Sequence, residues 1–199
     1  HCLSSAASDV YKRQTLDGSD PTTSSPLYTG SIVIQQNTVI KAASFKDGWM
    51  RSPIKTGTFI LDNENNNFPT IFLSTDPDNF FDYNTGIYEM GPNASPDNPH
   101  FGANFWEDWE KPIFIEVLET DDTYYSSPGG VKIFGGWSRA HGQKSLSLFA
   151  RGQYGNSEFN YKFFPNLALE NFQSLILRTS GNAVSYTHLT LPTTSSVEG

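Results

Sequence analysis

Apolar and polar side chains alternate in short runs along most of this chain. The alternation is clear in TVIKAASF, residues 38–45. A period of two is typical of a β-strand that buries one face. Turn-forming pairs such as Asp17-Gly18, Asp20-Pro21 and Asp47-Gly48 interrupt the runs. The pattern predicts a β-rich protein.

The strand signals fall into two groups separated by a polar run, DNENNN, at residues 62–67. In residues 15–61 no helical period is visible, and the pattern predicts a small antiparallel β-sandwich. Its predicted strands are SIVI (31–34), TVIKAASF (38–45) and KTGTFIL (55–61). We therefore place the boundary between two domains at the 62–67 linker.

The second group, residues 68–182, predicts an α+β domain. Asp76 is a suitable N-cap and Pro77 a suitable first helical residue, so a short helix is expected through Phe81. Residues 159–172 are expected to form a loop and a short helix, and SLILRTS is expected to be a central strand because it is apolar on both faces. The predicted strands are FPTIFLST (68–75), IFIEVLE (113–119), GGVKIFGGW (129–137), QKSLSLFAR (143–151) and SLILRTS (174–180).

Composition narrows the possible partners. The 199 residues carry a formal net charge of −8 and a pI near 4.8, which argues against nucleic acid and against a polybasic membrane surface. No apolar stretch approaches the roughly 20 residues of a transmembrane helix, so no membrane span is expected. Cys2 is the only cysteine, so neither an intrachain disulfide nor a Cys-based zinc site is expected.

Both ends of the chain differ from its interior. Residues 1–14 and 183–199 resemble the translated sequencing-adaptor runs found at the edges of gene fragments assembled from environmental DNA. We expect them to be non-native or disordered and set them aside. The chain is then interpreted as an interior fragment of a larger bacterial protein.

The order LDGSDPT, SPLYTG, TVIKAASFKDGWMRSP and TFIL in residues 15–61 resembles the chitobiase/β-hexosaminidase C-terminal repeat. The resemblance implies a partial, all-β immunoglobulin-like sandwich that accompanies secreted enzymes and has no catalytic residues. That family has a strand where KRQ stands here, so we expect one edge strand to be missing and one edge to be unpaired. Trp49 is interpreted as cover for the sandwich, with carbohydrate stacking as the alternative.

The second domain carries a broader resemblance. FPTIFLSTDPDNFFDYNTGIY, NFWEDWEKPIFIEVLE, GGVKIFGGWSRAHGQKSLSLFARGQYGNSEFNYKFF and FQSLILRTSGN, in that order, resemble the N-terminal part of the spore coat protein H (CotH) kinase family. The resemblance implies an atypical kinase-like fold that transfers phosphate from ATP, with Mg²⁺, to Ser or Thr of a protein substrate. The pairing of the two modules suggests an extracellular or cell-surface location.

Phosphoryl transfer needs positive charge at the nucleotide phosphates. Gly135 and Gly136 free backbone amides in a hairpin that leads into Lys144, which is expected to contact phosphate as a point charge. Arg139 is a further candidate. The alternative is a plain hairpin turn with a snorkelling lysine, and His141 is interpreted as an exposed loop residue.

The rest of a kinase site is not visible in the sequence. The chain has no G-x-G-x-x-G, H-R-D or D-F-G motif, and the resemblance implies that acidic catalytic and metal-binding positions lie downstream of Asn182. Catalytic residues in this chain are therefore unknown and no metal ligands are expected in it. We expect the fragment to be inactive and to bind ATP and Mg²⁺ only weakly.

Two acidic stretches suggest other chemistry. An EF-hand loop that starts at Asp76 would need Gly and Glu where Phe81 and Ile87 stand, so a calcium loop is rejected. The cluster Glu107, Asp108 and Glu110 is interpreted as a solvated acidic turn rather than a glycosidase pair. The remaining alternative is a non-catalytic cell-surface protein for adhesion or polysaccharide binding.

Overall fold

The computed structural model describes residues 9–61 and 68–179. Residues 1–8, the 62–67 linker and residues 180–199 lie outside these ranges, as do the expectations that fall on them. The described residues form a three-stranded sheet, a five-stranded sheet and a two-stranded hairpin. None of their helices is long and apolar enough to cross a membrane.

The first sheet has the order β1-β2-β3, with both neighbouring pairs antiparallel. Its strands are β1 (Tyr11–Thr15), β2 (Thr38–Phe45) and β3 (Lys55–Phe59). β2 and β3 confirm two of the predicted strands, although β3 ends at Phe59 and not at residue 61. Residues 31–34 do not form the predicted strand, and Val33 is 80% exposed.

β1 occupies the place of the edge strand that the sequence analysis expected to be missing. Tyr11 lies opposite Phe45 and Thr15 opposite Lys41. The outer edge of β1 is partly covered, because Gln14 N–H donates to Pro26 O and Tyr28 N–H donates to Lys12 O. Residues 11–14 therefore have an ordered place in the sheet instead of the expected disorder. This segment lacks apolar alternation, and its backbone hydrogen bonds to β2 hold it in the sheet.

The second sheet is an antiparallel meander with the order β10-β7-β6-β5-β4. Its inward side chains, among them Ile115, Val131 and Leu148, form the main buried core, to which loop residues Ile87 and Phe105 also belong. The strands are β4 (Thr70–Ser74), β5 (Lys111–Leu118), β6 (Tyr124–Phe134), β7 (Ser145–Phe149) and β10 (Ser174–Leu177).

Two expectations for the second domain were wrong. β10 is an edge strand rather than a central one: Leu175 and Leu177 pack against the core, whereas Ile176 is half exposed. Residues 159–172 contain no helix but close as a short hairpin between β8 (Phe159–Asn160) and β9 (Asn171–Phe172). Aromatic packing among Phe159, Phe163 and Phe172 holds the hairpin together and overrides the local sequence signal.

The predicted helix is confirmed as α1 (Pro77–Phe81), with Asp76 as its N-cap accepting a hydrogen bond from Asp78 N–H. It is the only α-helix among the described residues, which also contain 3₁₀ turns at Asn104–Trp106, Trp137–Ala140 and Gly152–Tyr154. The described fold is thus mostly β and is consistent with a β-sandwich at its start. The kinase-like part of the expectation stays a prediction.

The two sheets meet at a polar contact centred on Glu116 of β5, whose side chain is 1% exposed. Its carboxylate accepts hydrogen bonds from the Thr58 N–H (3.1 Å), the Thr58 hydroxyl and the Tyr124 hydroxyl (2.7 Å). A second contact joins the Asp20 N–H to the Asp76 carboxylate at 2.8 Å. Both contacts cross between residues 9–61 and residues 68–179.

Candidate functional site

The loop between β6 and β7 borders a cavity of about 550 Å³. Three of the four residues predicted to bind phosphate, Gly135, Gly136 and Arg139, line this cavity. Lys144, the fourth, does not. The cavity is completed by Phe134, Ser138, Ser145, Arg178 and Thr179, so its polar lining comes from the loop, from the start of β7 and from the end of β10.

Glycine is required at the start of the loop. Gly135 has φ +113°, a left-handed conformation that favours glycine, and a Cβ there would collide with the Ser138 hydroxyl. Gly136 has open space around its Cα. The chain therefore reverses sharply after β6 and begins the 3₁₀ turn Trp137–Ala140, which carries Arg139.

Arg139 is held by backbone carbonyls on one side. Its Nε donates to Gly135 O at 2.7 Å and its Nη1 to Trp106 O at 3.2 Å. A guanidinium has five N–H donors, so these bonds leave others for a ligand in the cavity. Arg139 thus braces the loop and supplies positive charge to the cavity wall.

Lys144 has a different role in the structure from the one expected. Its side chain is buried, and its Nζ donates to Arg139 O at 2.7 Å and to His141 O at 2.9 Å. The ammonium also lies 4.0 Å from the centre of the Phe105 ring, and burial lowers its pKa. The lysine thus stabilises the loop by bonding to two of its carbonyls. His141 is exposed on the loop, as expected.

The far wall of the cavity lies where β10 ends beside β7. Ser145 Oγ accepts a hydrogen bond from Thr179 N–H at 3.0 Å, which fixes this wall. Arg178, next in the chain, is exposed and lines the cavity. Among the described residues, the lining thus contains two arginines and several hydroxyls but no carboxylate, a combination that suits an oxyanion such as phosphate.

Arg178, Ser145 and Thr179 were not predicted from the sequence. Arg178 is more than 30 positions from the Gly135 loop, and only the pairing of β10 with β7 brings it there. No local motif marks it. To find Arg178 from the sequence, the pairing of β10 with β7 would have had to be predicted. The expectation of a central strand did not specify its neighbours.

The acidic cluster was expected to be a solvated turn, and this holds for Glu107 and Asp108 but not for Glu110, whose side chain is only 14% exposed. Glu110 accepts two hydrogen bonds from Arg151 Nε, at 2.8 and 3.0 Å, and Asp108 pairs with Lys132 at 3.0 Å. Glu107 is exposed. Within residues 9–61 and 68–179, no three His, Cys, Asp or Glu side chains are grouped so that they could hold a metal ion.

Comparison with known proteins bears on the first domain. Residues 3–59 match the model of a family described as Fn3 associated. No curated protein and no solved structure matches the chain. The match supports an immunoglobulin- or fibronectin-like associated domain at the start of the chain, and it includes residues 3–14, which the sequence analysis had set aside. It does not reach residues 68–182.

Proposed function

We propose that residues 68–182 are the N-terminal part of a CotH-like protein kinase domain, and that the cavity beside Gly135 receives the phosphates of ATP. Residues 15–61 would be an accessory repeat of the chitobiase/β-hexosaminidase C-terminal type. The parent would be a secreted or surface protein of a bacterium that phosphorylates Ser or Thr of a protein substrate.

The observation that carries the proposal is the lining of the cavity. Arg139 and Arg178 face it from two different parts of the chain, together with the hydroxyls of Ser138 and Ser145. In a chain of net charge −8, a cavity whose described lining has two arginines and no carboxylate is a local exception that favours an anion. Lys144 supports the site indirectly, because it holds the loop that carries Arg139.

The proposal assigns no chemical step to the described residues. Transfer of the phosphoryl group requires metal ligands and a carboxylate that orients the acceptor hydroxyl, and we propose that the parent supplies these downstream of Asn182. The expected behaviour of the 199-residue chain is weak binding of ATP and no turnover.

Pyrophosphate and ATP titrations of the full chain, followed by phosphorus NMR at low ionic strength, test the site. We expect saturable binding that weakens as salt is added. Arg178→Ala is the informative variant, because this exposed side chain has no hydrogen bond or ion pair that the structure describes. Loss of one charge-assisted contact should weaken pyrophosphate binding by about fivefold or more.

Arg51→Ala is the matched control, since Arg51 is also exposed but belongs to the first domain. It should leave the affinity unchanged. Absence of saturable pyrophosphate binding, or an equal loss in both variants, would exclude the cavity as a phosphate site. Phosphorylation of a protein by the chain alone would contradict the expectation that the fragment is inactive.

A further inference from the structure

A second surface, formed by Phe101, Trp106 and Trp137, lies beside the loop that borders the cavity. Phe101 and Trp137 are 56% and 68% exposed. The Phe101 ring centre lies 5.0 Å from that of Trp106 and 6.1 Å from that of Trp137. We call these three side chains the aromatic platform. None of them lines the cavity, so the platform is distinct from the proposed phosphate site.

The loop that carries Phe101 is firmly anchored. The Trp106 indole N–H donates to Pro99 O at 2.9 Å, and Ser95 N–H donates to Phe101 O at 2.8 Å. At its base, the Asn104 side chain is buried and its amide donates to Gly86 O at 3.1 Å. These hydrogen bonds fix the backbone on both sides of Phe101, so the loop holds this side chain in its exposed position.

Trp137 is anchored to the same loop through its neighbour Arg139, which donates to Trp106 O at 3.2 Å and to Gly135 O at 2.7 Å. Arg139 thus bridges the two loops and sets the spacing of the two exposed rings. Two aromatic side chains from different loops, held at a fixed distance and turned to solvent, form a preorganised contact surface.

The chemistry of the platform selects its ligand. Exposed polar residues follow it directly in the chain, since Glu107 and Asp108 come after Trp106. A pyranose ring has an apolar C–H face that can stack on an aromatic ring and hydroxyls that can bond to polar neighbours. We propose that the aromatic platform binds the sugar rings of a polysaccharide.

The test uses the full chain and the hexamers of cellulose, chitin and laminarin, with binding measured by calorimetry and by tryptophan fluorescence. We expect at least one hexamer to bind. Trp137→Ala and Phe101→Ala should each weaken that binding by about tenfold, since each removes one stacking surface. Trp137→Phe, which keeps a ring, should recover most of the affinity.

Phe68→Ala is the matched control, because Phe68 is an aromatic residue that is 74% exposed and does not belong to the platform. It should bind as the wild type does. Circular dichroism of each variant checks that the fold is kept. The proposal is overturned if no hexamer binds, if Phe68→Ala loses as much affinity as Trp137→Ala, or if both platform variants fold and bind normally.

Discussion

Lys144 shows how a single residue can have a plausible chemical role in the sequence and a different one in the structure. A lysine after a glycine-containing hairpin favours phosphate contact, whereas its Nζ donates to two carbonyls of its own loop, Arg139 O and His141 O. Both interpretations require a cation at this position. They differ in whether a substitution of Lys144 changes the free energy of unfolding or the affinity for ATP.

Lys144→Met keeps the length of the side chain and its packing on Phe105 but removes the donor. The two carbonyls lose their partner, so the free energy of unfolding should fall by about 1–3 kcal/mol. Urea denaturation measures the change. The same substitution at exposed Lys162 should have no such effect. Direct contact with phosphate would give the opposite result: unchanged stability and a large loss of ATP affinity.

At the scale of elements, the β8–β9 hairpin is held against the second sheet by aromatic contacts and one polar tie. Tyr161 stacks on Tyr125 of β6 with ring centres 4.7 Å apart, and its hydroxyl donates to Glu119, just after β5. Burial, followed by the hydrogen bond and the charge of Glu119, raises the pKa of Tyr161 to about 12. Attachment of the hairpin should therefore weaken at alkaline pH, where the Tyr161 hydroxyl loses its proton.

The direction follows from proton linkage. Between the ordinary tyrosine pKa of 10.0 and about 12, the unfolded chain releases the Tyr161 proton while the folded chain keeps it. The contribution of the Tyr161 hydroxyl to the free energy of unfolding is thus complete below pH 10 and is lost as the pH rises through 12. Urea unfolding across this range should show a decline that is shallower in Tyr161→Phe, while Tyr83→Phe, at an exposed site, should follow the wild type. Equal slopes in all three would mean that Tyr161 has no part in the decline.

The sequence predicted the elements that local signals mark. β2 was predicted from its alternation, and α1 from its cap. Tertiary pairing decided the segments that were mispredicted: YKRQT forms β1 without apolar alternation, and SIVI forms no strand. The site divides in the same way, since local turn chemistry identified Gly135 and Arg139, whereas Arg178 joins them only through strand pairing.

For the whole molecule, the unequal cores of the two domains matter most. Ala43 is the only buried core hydrophobic residue within residues 9–61, whereas the main core cluster lies entirely in the second domain. So small a core is marginal on its own. The contacts of Thr58 with Glu116 and of Asp20 with Asp76 therefore contribute a large share of the first domain's stability, and the two domains should unfold together.

Amide exchange followed by NMR tests this expectation. In the wild type, the slowest amides of β2 and β6 should exchange with the same free energy, because both open only in global unfolding. Glu116→Ala leaves the Thr58 N–H and two hydroxyls without their acceptor, at a cost of about 2–4 kcal/mol. Exchange from β2 should then become faster than exchange from β6.

Glu116→Gln separates the hydrogen bonds from the charge. Its amide oxygen can accept from Thr58 N–H and Tyr124, and its NH₂ group can donate to the Thr58 hydroxyl, so the two domains should stay coupled. Glu170→Ala, at an exposed position, should change neither rate. If β2 already exchanges faster than β6 in the wild type, the domains open independently. The buried carboxylate would then be a contact between two separate folding units rather than the link that makes them one.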